Sequence, residues 1–126
     1  MTDHELTPLR SILAEFAPQG RPALLPALHA AQRFYGWLPE PVVTEVGRAL
    51  GVPLADAYGV IEFYAMFNRQ PAGRTVLRVC SAPVCVLGGS TAVAEALCRH
   101  MQIEPGEVSS DGALTVENAP CLGLCD

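Results

Sequence analysis

Five cysteines dominate the chemistry open to this chain of 126 residues. Four fall into two pairs: Cys80 and Cys85 with four residues between them, and Cys121 and Cys125 with three. The pairs stand 35 residues apart. Four thiolates can hold one tetrahedral zinc, or spread around the two irons of a [2Fe–2S] cluster. Structural zinc prefers tight knuckles, which these spacings only graze, and the longer C-x₄-C loop suits two irons better. Disulfides, or thiols that are simply buried, form the third reading. The odd total argues against a closed disulfide framework, and the lack of C-x-x-C against dithiol exchange chemistry.

The residues between the cysteines point the same way. SAPV and LGL contain no acid or base, so neither loop offers a group for proton transfer. Four thiolates around two ferric ions and two sulfides leave two negative charges, and reduction adds a third. Tolerating that electron in low dielectric calls for backbone N–H donors, hence loops rich in backbone and poor in side chains. Gly123 would let the chain pass close to a sulfur and aim its N–H groups there. Arg78 would either temper the negative field or turn to solvent. Cys98 reads differently, as a small hydrophobe on a helix face beside Ala94 and Met101.

Other candidates are weaker. His29 is expected to pack in a helix or face a partner, His4 to lie at a frayed end, and His100 to cap the end of its helix. Glu62 is a lone carboxylate in an apolar run, expected at solvent or an interface. Gly88-Gly89 is not a dinucleotide-binding glycine pattern, and no Ser/His/Asp set appears. No catalytic residue is expected.

The elements that must position the thiols come in two kinds. Residues 1–73 carry no cysteine and read as helices. Thr7-Pro8 opens one that runs to Phe16, a second spans about 23–35 and closes at Gly36, and a third spans about 40–50 before Gly51. Short helices follow over 54–58 and 60–68. Residues 74–126 hold all five cysteines. There Arg74–Cys80 reads as a strand, about 91–101 as a helix facing inward through Val93, Ala94, Leu97, Cys98 and Met101, and Ala113–Glu117 as a second strand. Turns are expected at Pro105-Gly106 and Ser110-Asp111-Gly112. The fold class is α+β: a helical bundle over 1–73, for partner docking, then a small α/β unit over 74–126. Two short strands and one helix are thin, so the second unit is expected to be incomplete at its C-terminus or covered by a partner.

Composition narrows the partners. Half the residues are apolar, only 17% are charged, every basic residue is arginine, and the formal net charge is −5. No phosphate-neutralising patch exists, so nucleic acid is not an expected partner, and no apolar stretch is long enough for direct membrane insertion. The opening MTDHELTPLR lacks a signal-peptide apolar region, and a cytoplasmic chain is the expectation.

With these residues in place, the sequence resembles the thioredoxin-like [2Fe–2S] ferredoxin family. LLPALHAAQRFYGWLPEPVV at 24–43, YGVIEFYAMF at 58–67, PAGRTVLRVC up to Cys80 and DGALTVENAPCLGLC at 111–125 carry the resemblance. It implies a helical bundle followed by a thioredoxin-like domain holding one [2Fe–2S] cluster on Cys80, Cys85, Cys121 and Cys125, while Cys98 matches no ligand position. It also implies an accessory electron-transfer role beside a subunit that binds FMN, NAD and further iron–sulfur clusters. Leucine before the last cysteine in CLGLC, with the short N-terminus, looks most like the gamma subunit of NAD-dependent formate dehydrogenase, whose largest subunit carries a molybdenum cofactor. The 24-kDa-type subunit of NADH:quinone oxidoreductase and a subunit of NAD-linked hydrogenases are the alternatives. A zinc-stabilised interaction module is the non-redox one.

Overall fold

A computed structural model describes residues 1–125, apart from the side chains of Asp3 and His4; the expectations placed on His4 and on the chain end at Asp126 lie outside the described residues. The chain forms two compact units, residues 1–70 and 71–126.

The first unit is helical. Helix α1 spans Asp3–Leu13, not the stretch from Thr7 to Phe16. The start lies earlier because Thr2 and Glu5 close the helix end: the Thr2 N–H donates to the Glu5 carboxylate and the Glu5 N–H to the Thr2 carbonyl, 3.1 Å away. That reciprocal cap outweighs the cost of Pro8 inside the helix. Two short 3₁₀ turns, Ala17–Gln19 and Arg21–Ala23, lead into α2 over Leu24–Tyr35. Gly36 ends α2 with φ +81, its N–H donating to the Gln32 carbonyl at 2.7 Å. Helix α3 covers Glu40–Leu50 and stops at Gly51 in the left-handed region.

The segment expected as two short helices is one, α4 over Leu54–Phe63. Gly59 does not break it, and the run does not continue to residue 68. Gln32 explains the stop, because its amide donates to the Met66 carbonyl at 2.8 Å and its carbonyl accepts the Asn68 N–H at 2.7 Å. Those bonds draw residues 64–68 into a turn across α2, where Phe67 lies against His29 with ring centres 4.8 Å apart. Leu9, Leu13, Leu28, Leu38, Val42, Val43 and Val46 form the sealed centre of the core. Glu62, expected at solvent or an interface, is exposed and paired with Arg69 at 2.6 Å.

The second unit starts with β1, Thr75–Cys80. Next come a short helix α5 over Pro83–Leu87, a longer α6 over Ser90–Met101, and β2 over Leu114–Ala119. The strands pair in parallel, Thr75 opposite Leu114 through Cys80 opposite Ala119. Helix α6 covers them through Cys98, Leu97 and Met101, which meet Leu77, Val79, Ile103 and Val116. Val93, expected inward, is more than half exposed. Both expected turns form, with Gly106 donating to the Val116 carbonyl and Gly112 to the Ser109 carbonyl. Among the described residues, no helix is long and apolar enough to cross a membrane.

Candidate metal centre

Parallel pairing decides where the cysteines meet. Both strands end on the same side of the sheet, and Cys80 and Ala119 are register partners there. Ser81 clamps that end, its N–H and hydroxyl donating to the Ala119 carbonyl at 2.8 and 2.9 Å. The two cysteine-bearing segments therefore leave from one point, the carboxyl end of parallel strands, where α/β proteins commonly place ligands.

Cys80 closes β1 itself. Cys85, expected in an open loop, lies on α5, which Pro83 starts as its first residue. One helical turn brings Cys85 back to Cys80. The Cys80 thiol is held below its ordinary range, first by the Ala82 N–H, then by the Cys85 thiol, with the Leu122 N–H adding to them against burial. Cys85 is pushed up to about 11, chiefly because it donates to Cys80, with burial and the neighbouring Cys80 and Cys125 charges adding to that. Cys85 thus contacts a thiol from each pair. Cys121 is set by its own loop: Gly123 takes φ +67, and its N–H points to the Cys121 sulfur at 3.4 Å. A side chain at that φ would be strained, which gives the glycine its reason.

The donor set suits a binuclear centre in its chemistry. At this sheet end the Cys85 thiol lies against those of Cys80 and Cys125, and backbone N–H groups of Ala82, Leu122 and Gly123 point at sulfur. Among the described residues, no three Cys, His, Asp or Glu side chains are grouped around a single-ion position. A cluster asks for two thiolates on each of two irons rather than four on one. Arg78 is not aimed at the thiols. It faces its register partner Glu117, Nε to Oε1 2.7 Å, an ion pair whose N–H points off the oxygen. Cys98 is buried in the small core, as its helix position suggested, away from the four. His29 and His100 lie outside the site. Sequence reasoning missed α5 and the Ser81 clamp.

The profile of thioredoxin-like [2Fe–2S] ferredoxins matches residues 9–126, from the first helix through both cysteine pairs. The chain belongs to the thioredoxin-like [2Fe–2S] ferredoxin family. Its relatives in that family include the E subunits of NADH-quinone oxidoreductase from Pseudomonas aeruginosa and from Escherichia coli strain K12. Each is 38% identical over 106 residues, covering 84% of this chain and 64% of the relative. The corresponding protein of Rhizobium meliloti is 40% identical over 109 residues, 86% of this chain and 65% of the relative. The chain thus spans a little under two thirds of these relatives. Among solved structures, an NAD⁺-reducing [NiFe]-hydrogenase in the H₂-reduced state matches 85% of this family member and 18% of the other chain. Its TM-score is 0.67 at 29% identity.

Proposed function

We propose that this chain is an accessory electron-transfer subunit that holds one [2Fe–2S] cluster on Cys80, Cys85, Cys121 and Cys125. The observation that carries the reading is Cys85, whose thiol touches Cys80 on one side and Cys125 on the other, joining pairs 35 residues apart. When bound, the cluster supplies single-electron exchange. The chain's own residues supply four thiolates and the N–H groups of Ala82, Leu122 and Gly123, which favour negative charge on sulfur. No side chain between the paired cysteines can move a proton, so substrate chemistry belongs to partners. Those partners are an FMN- and NAD-binding iron–sulfur subunit and a larger subunit bearing the substrate site, and the setting is cytoplasmic.

For the whole assembly we favour an NAD-dependent molybdenum formate dehydrogenase, on Leu124 within CLGLC. The second reading, NADH:quinone oxidoreductase, is favoured by the names of the relatives, and a NAD-linked hydrogenase by the matched structure. Metal and sulfide analysis tests the first step: two irons and two acid-labile sulfides per chain are expected, and one zinc without sulfide would select the interaction module. Purifying the native assembly tests the second. Molybdenum with formate-dependent NAD⁺ reduction supports the favoured complex, membrane subunits with quinone reductase activity select the second, and nickel with hydrogen-dependent NAD⁺ reduction selects the third.

A further inference from the structure

Arg78 and Glu117 stand where the thiol-bearing segments begin, and those segments are free of charge. No charged residue occurs from Val79 to Ala94 or from Asn118 to Cys125. Arg78 and Glu117 are register partners, and two residues on, Cys80 and Ala119 form the next pair on the same face. That face is turned away from α6, because Leu77, Val79 and Val116 pack with Cys98 of the helix. Arg78 and Cys80 therefore share a face, about 7 Å apart along β1. Each side chain of the ion pair is only 29% exposed, and the Arg78 Nε is sealed from solvent without a hydrogen bond. Arg74 and Asp111, which also attract each other, lie at the opposite end of the strands.

As a fastener between the strands this pair is weak. The Arg78 Nε–H points off the carboxylate, so the aligned, charge-assisted hydrogen bond that makes such pairs strong is missing. Charge is what remains. Partly withdrawn from water, the two charges are screened less than fully exposed ones, and their field reaches Cys80 without contact. One electron on a bound cluster adds a negative charge beside Cys80, which a cation at Arg78 favours and an anion at Glu117 opposes. Alone, Arg78 would make reduction easier. Glu117, with Oε1 2.7 Å from the Arg78 Nε, cancels most of that field. We propose that the Arg78–Glu117 pair tunes the reduction potential of the centre held by Cys80, Cys85, Cys121 and Cys125, Glu117 keeping it low by cancelling the Arg78 charge. The inference rests on the electron-transfer reading above. Neither residue is a ligand; both act on the centre through their field.

The test is a redox titration of the purified full chain with dithionite, followed by the electron paramagnetic resonance signal of the reduced state. Glu117→Gln leaves the Arg78 charge uncancelled and should favour reduction about tenfold, a rise of about 59 mV for one electron. Arg78→Gln leaves the Glu117 charge alone and should disfavour reduction by about the same factor. The double variant should return to within about threefold of wild type, because both charges leave together. Opposite signs separate field from structure, since a pair that only fastened β1 to β2 would move both single variants the same way. Single-variant shifts under about threefold, shifts of one sign, or a double variant that fails to return would each overturn the inference. So would loss of iron from both single variants, which would make the pair a fastener. If only one loses iron, the sign of the other decides. Failure of the underlying reading is separate, since wild type would then hold no iron or sulfide and show no reduction midpoint.

Discussion

The five cysteines have two different surroundings. Cys98 touches Val116 and Ile103 in a closed apolar cluster, whereas the other four sit at a strand end among backbone donors. Replacing Cys98 by serine buries a hydroxyl without need and should cost about 1–3 kcal/mol in urea unfolding, with iron per chain unchanged. Serine at Cys80, Cys85, Cys121 or Cys125 should sharply reduce iron uptake; full iron in Cys121→Ser would refute the ligand set. Asp111 gives a second residue-scale prediction. Its carboxylate accepts from the Ser109 hydroxyl and then from the Ala113 N–H, and both hold its pKa low. A lowered carboxylate stabilises the fold above its unfolded value of about 3.9 and loses that contribution as pH falls through the folded value. The melting midpoints of wild type and Asp111→Asn should therefore converge on acidification below about pH 4. Curves that stay parallel would remove Asp111 from the turn's energetics. The candidate thiols were legible in the sequence because their spacing is local. The Cys80–Cys85–Cys125 contact was not, because it depends on strand register.

Elements depend on what punctuates them. Helix α3 was readable to the residue, since Gly51 takes φ +65 at its end and a valine stripe faces the core. Helix α1 was misplaced because Thr7-Pro8 imitates a start, while the Thr2–Glu5 cap lies before any periodicity. Helix α5 has five residues and no buried one, so its sequence leaves no periodic trace. The end of α4 is set by Gln32, 31 positions before Phe63, which no local pattern could reveal. Two glycines test the element scale. Alanine normally improves a helix interior by about 1 kcal/mol over glycine, but a Cβ on Gly47 would stand 2.9 Å from the Val52 carbonyl oxygen. Gly47→Ala should therefore give no gain. At Gly73 a Cβ would meet the Leu114 backbone at 2.5 Å, just where the Gly73 N–H bonds the Thr115 hydroxyl. Gly73→Ala should destabilise the second unit by about 1–3 kcal/mol or more, with cluster absorbance lost at lower denaturant. Equal midpoints for wild type and Gly73→Ala would show that β1 and β2 tolerate separation at that end.

At the scale of the molecule, the helical unit needs a reason to exist beside a domain that already holds the thiols. Its core is well sealed, yet Phe63 is 79% exposed and Phe34 53%. Each ring is braced edge-on by the next residue, Phe34 by Tyr35 at 4.8 Å and Phe63 by Tyr64 at 5.0 Å. Rings held in place lose little freedom on binding, and buried aromatics dominate many interfaces. These features support the docking role expected of residues 1–73. Deleting residues 1–36 would be a poor test, because it strips Leu9, Leu13 and Leu28 from a shared core and uncovers Val42, Val43 and Val46. Phe34→Ser and Phe63→Ser leave that core alone, and exposed substitutions usually shift stability by no more than about 0.5 kcal/mol. Their melting midpoints and iron content should match wild type, while affinity for the flavin-bearing partner falls about tenfold or more, near 1.4 kcal/mol. Titration of the purified partner against each variant measures the difference. Wild-type affinity in both would remove these two rings, and the docking role argued from them, from the partner interface.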